Sequence, residues 1–195
     1  YKRQDKVVYR IIKDEATYLT ALRTGQLDIL EAIRWIAVDH LKETTPELKW
    51  NRWLNTSGEF IALRVDQKPF DDLRVRRALN LAVNQQEIVE YFYGGHAELM
   101  AYPQHPDFGA YFESLEDMPE SVKQLFSYDP EEARRLLTEA GVPEGFSFDM
   151  QVCSCSPSHM DLVPLLESYF SKVGLKTNIK PMEYASFLSA MTTKT

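Results

Sequence analysis

The chain predicts an α/β protein, and three observations carry that prediction. Apolar runs of strand length alternate with stretches whose apolar residues recur at helical spacing. The helical stretches bring their own start and stop signals. The last third sets strand, helix, strand and helix in close succession, the order of a parallel unit with helical crossovers.

Taken in order, Val7 to Ile12 is an extended apolar run. Asp14 then caps a helix that runs to Gly25, and Leu27 to Leu30 is extended again. A βαβ unit with a right-handed crossover is the natural reading. Val38 to Lys42 forms a short helix; Lys49 to Leu54 and Phe60 to Val65 make plausible strands around a turn at Asn55-Thr56-Ser57-Gly58. Pro69 sets an extended approach, and Asp71 or Asp72 caps a helix with Val75, Leu79, Ala82 and Val83 on one face. Asn84 caps a second helix, with Glu87 at the spacing of a capping box. Residues 94–127 form one long loop, rich in glycine and proline. Its aromatics, Tyr102, Phe108, Tyr111 and Phe112, are expected to anchor it in an ordered state.

Asp129 caps the next helix, with Pro130 at its first position, acids in its first turn, and Gly141 then Pro143 to stop it. Phe146 to Cys153 reads as a strand. A helix follows from about His159 to Val173, in which Pro164 fits only near the first turn or at a bend. Lys176 to Met182 is a second strand, and a last helix starts at Glu183.

Composition narrows the function classes. The chain has 195 residues, 44% hydrophobic and 26% charged, with a net charge of −7. An acidic surface with dispersed basic residues argues against nucleic acid and against docking on an anionic membrane. No apolar run approaches the roughly 20 residues that span a bilayer. The two cysteines, Cys153 and Cys155, would point to one face of a strand, where a disulfide between such near neighbours is strained, so free thiols are expected. With only His159 nearby, a metal site lacks ligands, and no cofactor is implied.

Three segments carry a family resemblance. Residues 69–89 follow the order PFDDxRVRxALNxAxxxxxIV, residues 128–143 the order YDPExAxxLLxEAGxP, and residues 7–30 are similar to IPDxxxxxxALxxGEIDI, with Gln26 at the usual Glu. Together they resemble the family 5 extracellular solute-binding proteins, the receptors of dipeptide, oligopeptide and nickel ABC importers. The resemblance implies a type II periplasmic-binding-protein-like lobe, a mixed sheet flanked by helices. It implies a longer protein with a secretion signal or lipoprotein anchor and two lobes, of which residues 1–195 would be most of the second. A further cleft-lining stretch would follow residue 195. The expected partners are a peptide or other small solute and, through the full-length protein, an ABC permease and its ATPase. A periplasmic or extracellular monomer without membrane insertion in this segment is expected.

Four residues are candidates for touching a ligand. His159 opens a helix just past a strand end, where ligands lie in open α/β sheets. Tyr184 stands where the resemblance places an aromatic near the cleft, and its ring and hydroxyl suit loosely specific peptide binding. Arg34, able to hold a carboxylate in two parallel bonds, and Trp35 follow the extended run at Leu27 to Leu30. Each also has a plain structural reading: a helix-start histidine, a packing tyrosine, a solvated arginine beside a packed tryptophan. No credible catalytic set emerges. Asp71-Asp72 are explained by capping, and a thiol nucleophile built on Cys153 or Cys155 with His159 lacks an orienting group. The leading expectation is therefore a binding module that works by hinge closure, with a sensor domain of the same fold or a thiol hydrolase as alternatives.

Overall fold

A computed structural model describes residues 5–54, 58–99 and 106–193. The expected turn residues Asn55, Thr56 and Ser57, and Tyr102 of the long loop, lie outside that set. The chain divides into two compact units, residues 1–52 and residues 53–195.

In the first unit, α1 (Glu15–Arg23) starts where Asp14 accepts the Thr17 N–H at 2.8 Å. Helix α2 (Trp35–Thr44) is longer at both ends than the expected Val38 to Lys42. Among the described residues the expected strands Val7 to Ile12, Leu27 to Leu30 and Lys49 to Leu54 do not form a ladder, and no βαβ unit is built from them. Apolar patterning supplies a strand with a face but not with a partner, and a lone extended run has nothing to receive its backbone hydrogen bonds. Tyr9 and Ile11 are more than nine-tenths exposed accordingly.

The second unit holds the core. Phe60 to Val65 is not assigned to a strand, and its end is folded back by a bond from Val65 N–H to Leu63 O. Helix α3 (Leu73–Ala82) is capped by Asp72, which accepts the Arg74 N–H at 2.8 Å. Val75, Ala78, Leu79 and Ala82 are buried along its inner face. Asn84 then caps α4 (Gln85–Glu87), accepting the Glu87 N–H at 3.1 Å, and the helix widens into a π-helical turn over Ile88–Phe92.

The long loop carries a 3₁₀ turn at Pro106–Tyr111, then α5 (Glu120–Lys123) and a second 3₁₀ turn at Gln124–Phe126. Phe112 is half-buried, but Phe108 and Tyr111 are exposed, so two of the expected aromatic anchors face solvent. Helix α6 (Pro130–Glu139) starts at Asp129, which accepts the Glu132 N–H at 2.9 Å. It lies against α3: the Asp129 N–H donates to Leu81 O, and Arg74 reaches Glu139 O at 2.7 Å.

The sheet is a parallel pair, β1 (Ser147–Cys153) and β2 (Lys176–Met182), in register from Ser147↔Lys176 to Cys153↔Met182. Helix α7 (Pro157–Lys172) joins them, making the βαβ unit of this chain. It runs through Pro164, about two turns past its start, where the sequence suggested a first-turn position or a bend. Helix α8 (Tyr184–Thr193) follows β2. Leu162, Leu166, Tyr169 and Phe170 of α7 close over Met150 and Val152 of β1 and the apolar faces of α3 and α6. Phe148 stands edge-on between Phe70 and Phe170, with centroids 5.6 and 5.8 Å away. The α/β class therefore stands, on two parallel strands among the described residues.

Candidate functional site

The carboxyl ends of β1 and β2 gather most of the chemistry. Both strands stop together, and Ser154 binds them: its N–H and its hydroxyl donate to Met182 O at 2.9 and 3.0 Å. Ser156 then caps α7, its hydroxyl accepting the His159 N–H at 3.4 Å. His159 thus sits in the first turn of α7, beyond the end of β1, and Tyr184 opens α8 just beyond β2. Tyr184 is 56% exposed, and Glu183 beside it accepts the Ala185 N–H.

His159 does not stand alone. Its Nε2 lies 2.8 Å from Glu59 Oε2, both side chains about half exposed. Tyr93, which follows the π-helical turn, is close enough to feel the charge of Glu59. Its hydroxyl is buried and has no partner in hydrogen-bonding geometry among the described residues. Burial, and then the charge of Glu59, push the phenol above its ordinary range; nearby Ser158 favours the ionised form, without meeting hydrogen-bond geometry. Glu59, Tyr93 and Ser158 escape a reading of the sequence because no spacing relates them to His159. The only local sign is the π-helical turn, a distortion that often marks functional positions.

Arg34 and Trp35 lie in the first unit. Arg34 is the residue at the N-cap of α2, and its guanidinium grips Glu15 of α1 through two bonds, Nε to Oε1 at 3.0 Å and Nη2 to Oε2. That fork–fork pair gives Arg34 a structural duty between two helices. Trp35 lies under the Arg52 guanidinium, 5.4 Å from ring centre to carbon. A depression of about 380 Å³ beside α1 is lined by Ile12, Ala16, Thr17, Thr20, Ala21 and Gln26, none of which is a candidate.

The expectation of free thiols is overturned: Cys153 and Cys155 form a disulfide. Cys155 lies past the end of β1, in a turn, and this brings the two Cα atoms to 5.1 Å, inside bridging range. A flat strand would have held them further apart. With both sulfurs bonded to each other, the hydrolase alternative loses its nucleophile. No group of three or more His, Cys, Asp or Glu is placed to hold a metal among the described residues.

A histidine at the start of α7 and a tyrosine at the start of α8 thus gather beyond the ends of two parallel strands. Residues 2–195 match the model of the bacterial extracellular solute-binding proteins, family 5 Middle, and the chain belongs to that family. Its members are transport binding proteins and not enzymes. The chain is 29% identical over 187 residues to heme-binding protein A of Haemophilus influenzae, covering 94% of this chain and 32% of that protein. It is 30% identical over 188 residues to di/tripeptide-binding protein 1 of Pseudomonas aeruginosa, covering 94% and 33%. Among solved structures, the periplasmic binding protein DppA of Helicobacter pylori, in complex with the peptide STSA, superposes with a TM-score of 0.74. It shows 25% identity over 93% of this chain and 33% of that one. The chain thus spans about a third of the length of these relatives. The fold is that of the type II periplasmic binding proteins.

Proposed function

We propose that this chain is most of one lobe of a peptide receptor serving an ABC importer outside the cytoplasm, and that His159 and Tyr184 face the solute. The observation that carries the reading is their shared place beyond the carboxyl ends of β1 and β2, where open α/β sheets bind ligands. The Pseudomonas and Helicobacter relatives, named for di/tripeptides and solved with a peptide, support peptide as the solute class. Tyr184 offers apolar area with a polar tip, which suits side chains of varied kind. In the full-length protein two lobes close around the solute by a hinge motion, and the closed form is presented to the permease and its ATPase. Arg34, held by Glu15, and Trp35 are weaker candidates in the same receptor, since their contacts already account for them.

Half a cleft binds weakly, because the solute leaves much of its surface in water. Trialanine titrated into the 195-residue chain should move the amide resonances of His159 and Tyr184 together at millimolar concentration. Silence at both positions would overturn the reading. Calorimetry that found micromolar or tighter binding would overturn the half-cleft.

A further inference from the structure

We propose that the Cys153–Cys155 disulfide is a covalent capture site for a small monothiol, with Cys155 the sulfur that is attacked and Cys153 the sulfur that leaves. The crosslink closes a loop of residues 153–155 alone. The entropy that a crosslink removes from the unfolded chain grows with its loop, so this one stabilises little. Nor do the strand ends depend on it. Strands β1 and β2 pair in register out to Cys153↔Met182, and Ser154 donates its N–H and its hydroxyl to Met182 O. A bridge that holds so little in place is left with its chemistry, and exposed disulfides are the ones that exchange.

The two sulfurs are not equivalent. Cys153 ends β1 and is 4% exposed, whereas Cys155 lies in the turn beyond it and is open to solvent. An incoming thiolate bonds to one sulfur and expels the other, so access selects Cys155. The Cys155 N–H donates to Cys153 Sγ at 3.2 Å, so the leaving sulfur has a donor in place for the charge it takes on. Ser156, the next residue, caps α7, a helix of 16 residues with no acid in its first turn. The positive end of its dipole therefore lies beside the sulfurs over which negative charge spreads during exchange.

The step balances without another oxidant or reductant. RS⁻ forms a bond to Cys155 Sγ, and the electron pair of the old S–S bond leaves with Cys153 Sγ. That thiolate takes from solvent the proton that the incoming thiol gave up. One disulfide is consumed and one is formed, and return of Cys153 onto Cys155 releases the thiol again.

The test adds N-acetylcysteine in millimolar excess to the 195-residue chain with its disulfide intact. The mixture is quenched with N-ethylmaleimide, and tandem mass spectrometry of the unreduced peptide places each group. N-acetylcysteine should sit on Cys155 and the maleimide on Cys153, in about tenfold excess over the reverse arrangement. A second measurement uses single thiols: maleimide should label Cys155 in a Cys153→Ser chain about tenfold faster than Cys153 in a Cys155→Ser chain. A mixed disulfide mainly on Cys153, equal amounts on both, no mixed disulfide, or equal or reversed labelling rates would each overturn the proposal. If either variant fails to fold, the intact chain alone decides. Trialanine carries no thiol, so its binding and this exchange succeed or fail separately.

Discussion

Replacing Gly174 by alanine probes how α7 hands the chain to β2. Gly174 holds a φ of +81°. Around it the Leu175 N–H donates to Phe170 O at 3.0 Å and the Gly174 N–H to Ser171 O at 3.1 Å, the paired bonds of a Schellman C-terminus. This turn also drops Leu175 into the core, 4% exposed, immediately before β2 begins. A left-handed conformation costs a non-glycine residue about 1–2 kcal/mol. A Cβ at this position would also overlap the Glu144 carboxylate. Glu144 is exposed, so its carboxylate can swing into water, and that displacement adds a few tenths of a kcal/mol, well under the backbone cost.

Gly141 supplies the control. It ends α6 in the same motif, with φ +75°, and an added Cβ there would meet nothing within 4 Å. Gly141→Ala should therefore lose about 1–2 kcal/mol from backbone strain alone, and Gly174→Ala should lose about 2 kcal/mol. For a chain of this size that is a fall in Tm of roughly 4–8 °C. Combining Gly174→Ala with Glu144→Ala should return the loss to the Gly141→Ala level, the signature of two coupled neighbours. Urea denaturation followed by far-ultraviolet circular dichroism measures all four proteins. A Gly174→Ala protein within about 0.5 kcal/mol of the parent, the ordinary range of neutral surface changes, would refute the reasoning.

Two further outcomes follow from the same structure. The Arg74 guanidinium and then its N–H hold the Asp72 carboxyl down at about 2, against an ordinary 3.8. Because the folded value lies below the unfolded one, its stabilisation is present above the unfolded value and is lost as pH falls from about 4 through about 2. Asp72→Asn should flatten that limb of the Tm-against-pH curve, and an identical acid limb would contradict the assignment. Reduction of Cys153–Cys155 by a phosphine opens a loop of very few residues, for which the loop-closure relation gives about 1.6 kcal/mol. Scanning fluorimetry should show Tm falling by only a few degrees, and complete loss of the folded state would show a larger structural role.

The parts of the fold legible in the sequence are those governed by neighbours along the chain. Asp14, Asn84 and Asp129 cap helices as read, and Asp72 is the one of the two offered aspartates that caps α3, because a cap needs only a side chain and an N–H two or three residues away. The β1–α7–β2 unit was legible for a related reason: its strands are joined through a single helix, and both carry buried residues. The runs at 7–12, 27–30, 49–54 and 60–65 look just as apolar, yet pairing is a non-local property that no window of sequence contains. The site divides in the same way. His159 and Tyr184 could be placed from the helix starts they occupy. Glu59 and Tyr93 could not, since only folding brings them beside Ser158 and His159. The disulfide departs from expectation because the alternation that would set both cysteines on one face of a strand ends at Cys153, and the chain turns at Cys155.

By sending two donors onto one carbonyl of Met182, Ser154 rivets the tips of both strands into a single seam. A force on the start of α7 therefore reaches β2 through that seam and not through a loose connection. The ends of β1 and β2 are thereby coupled, so that a displacement of one strand end pulls on the other.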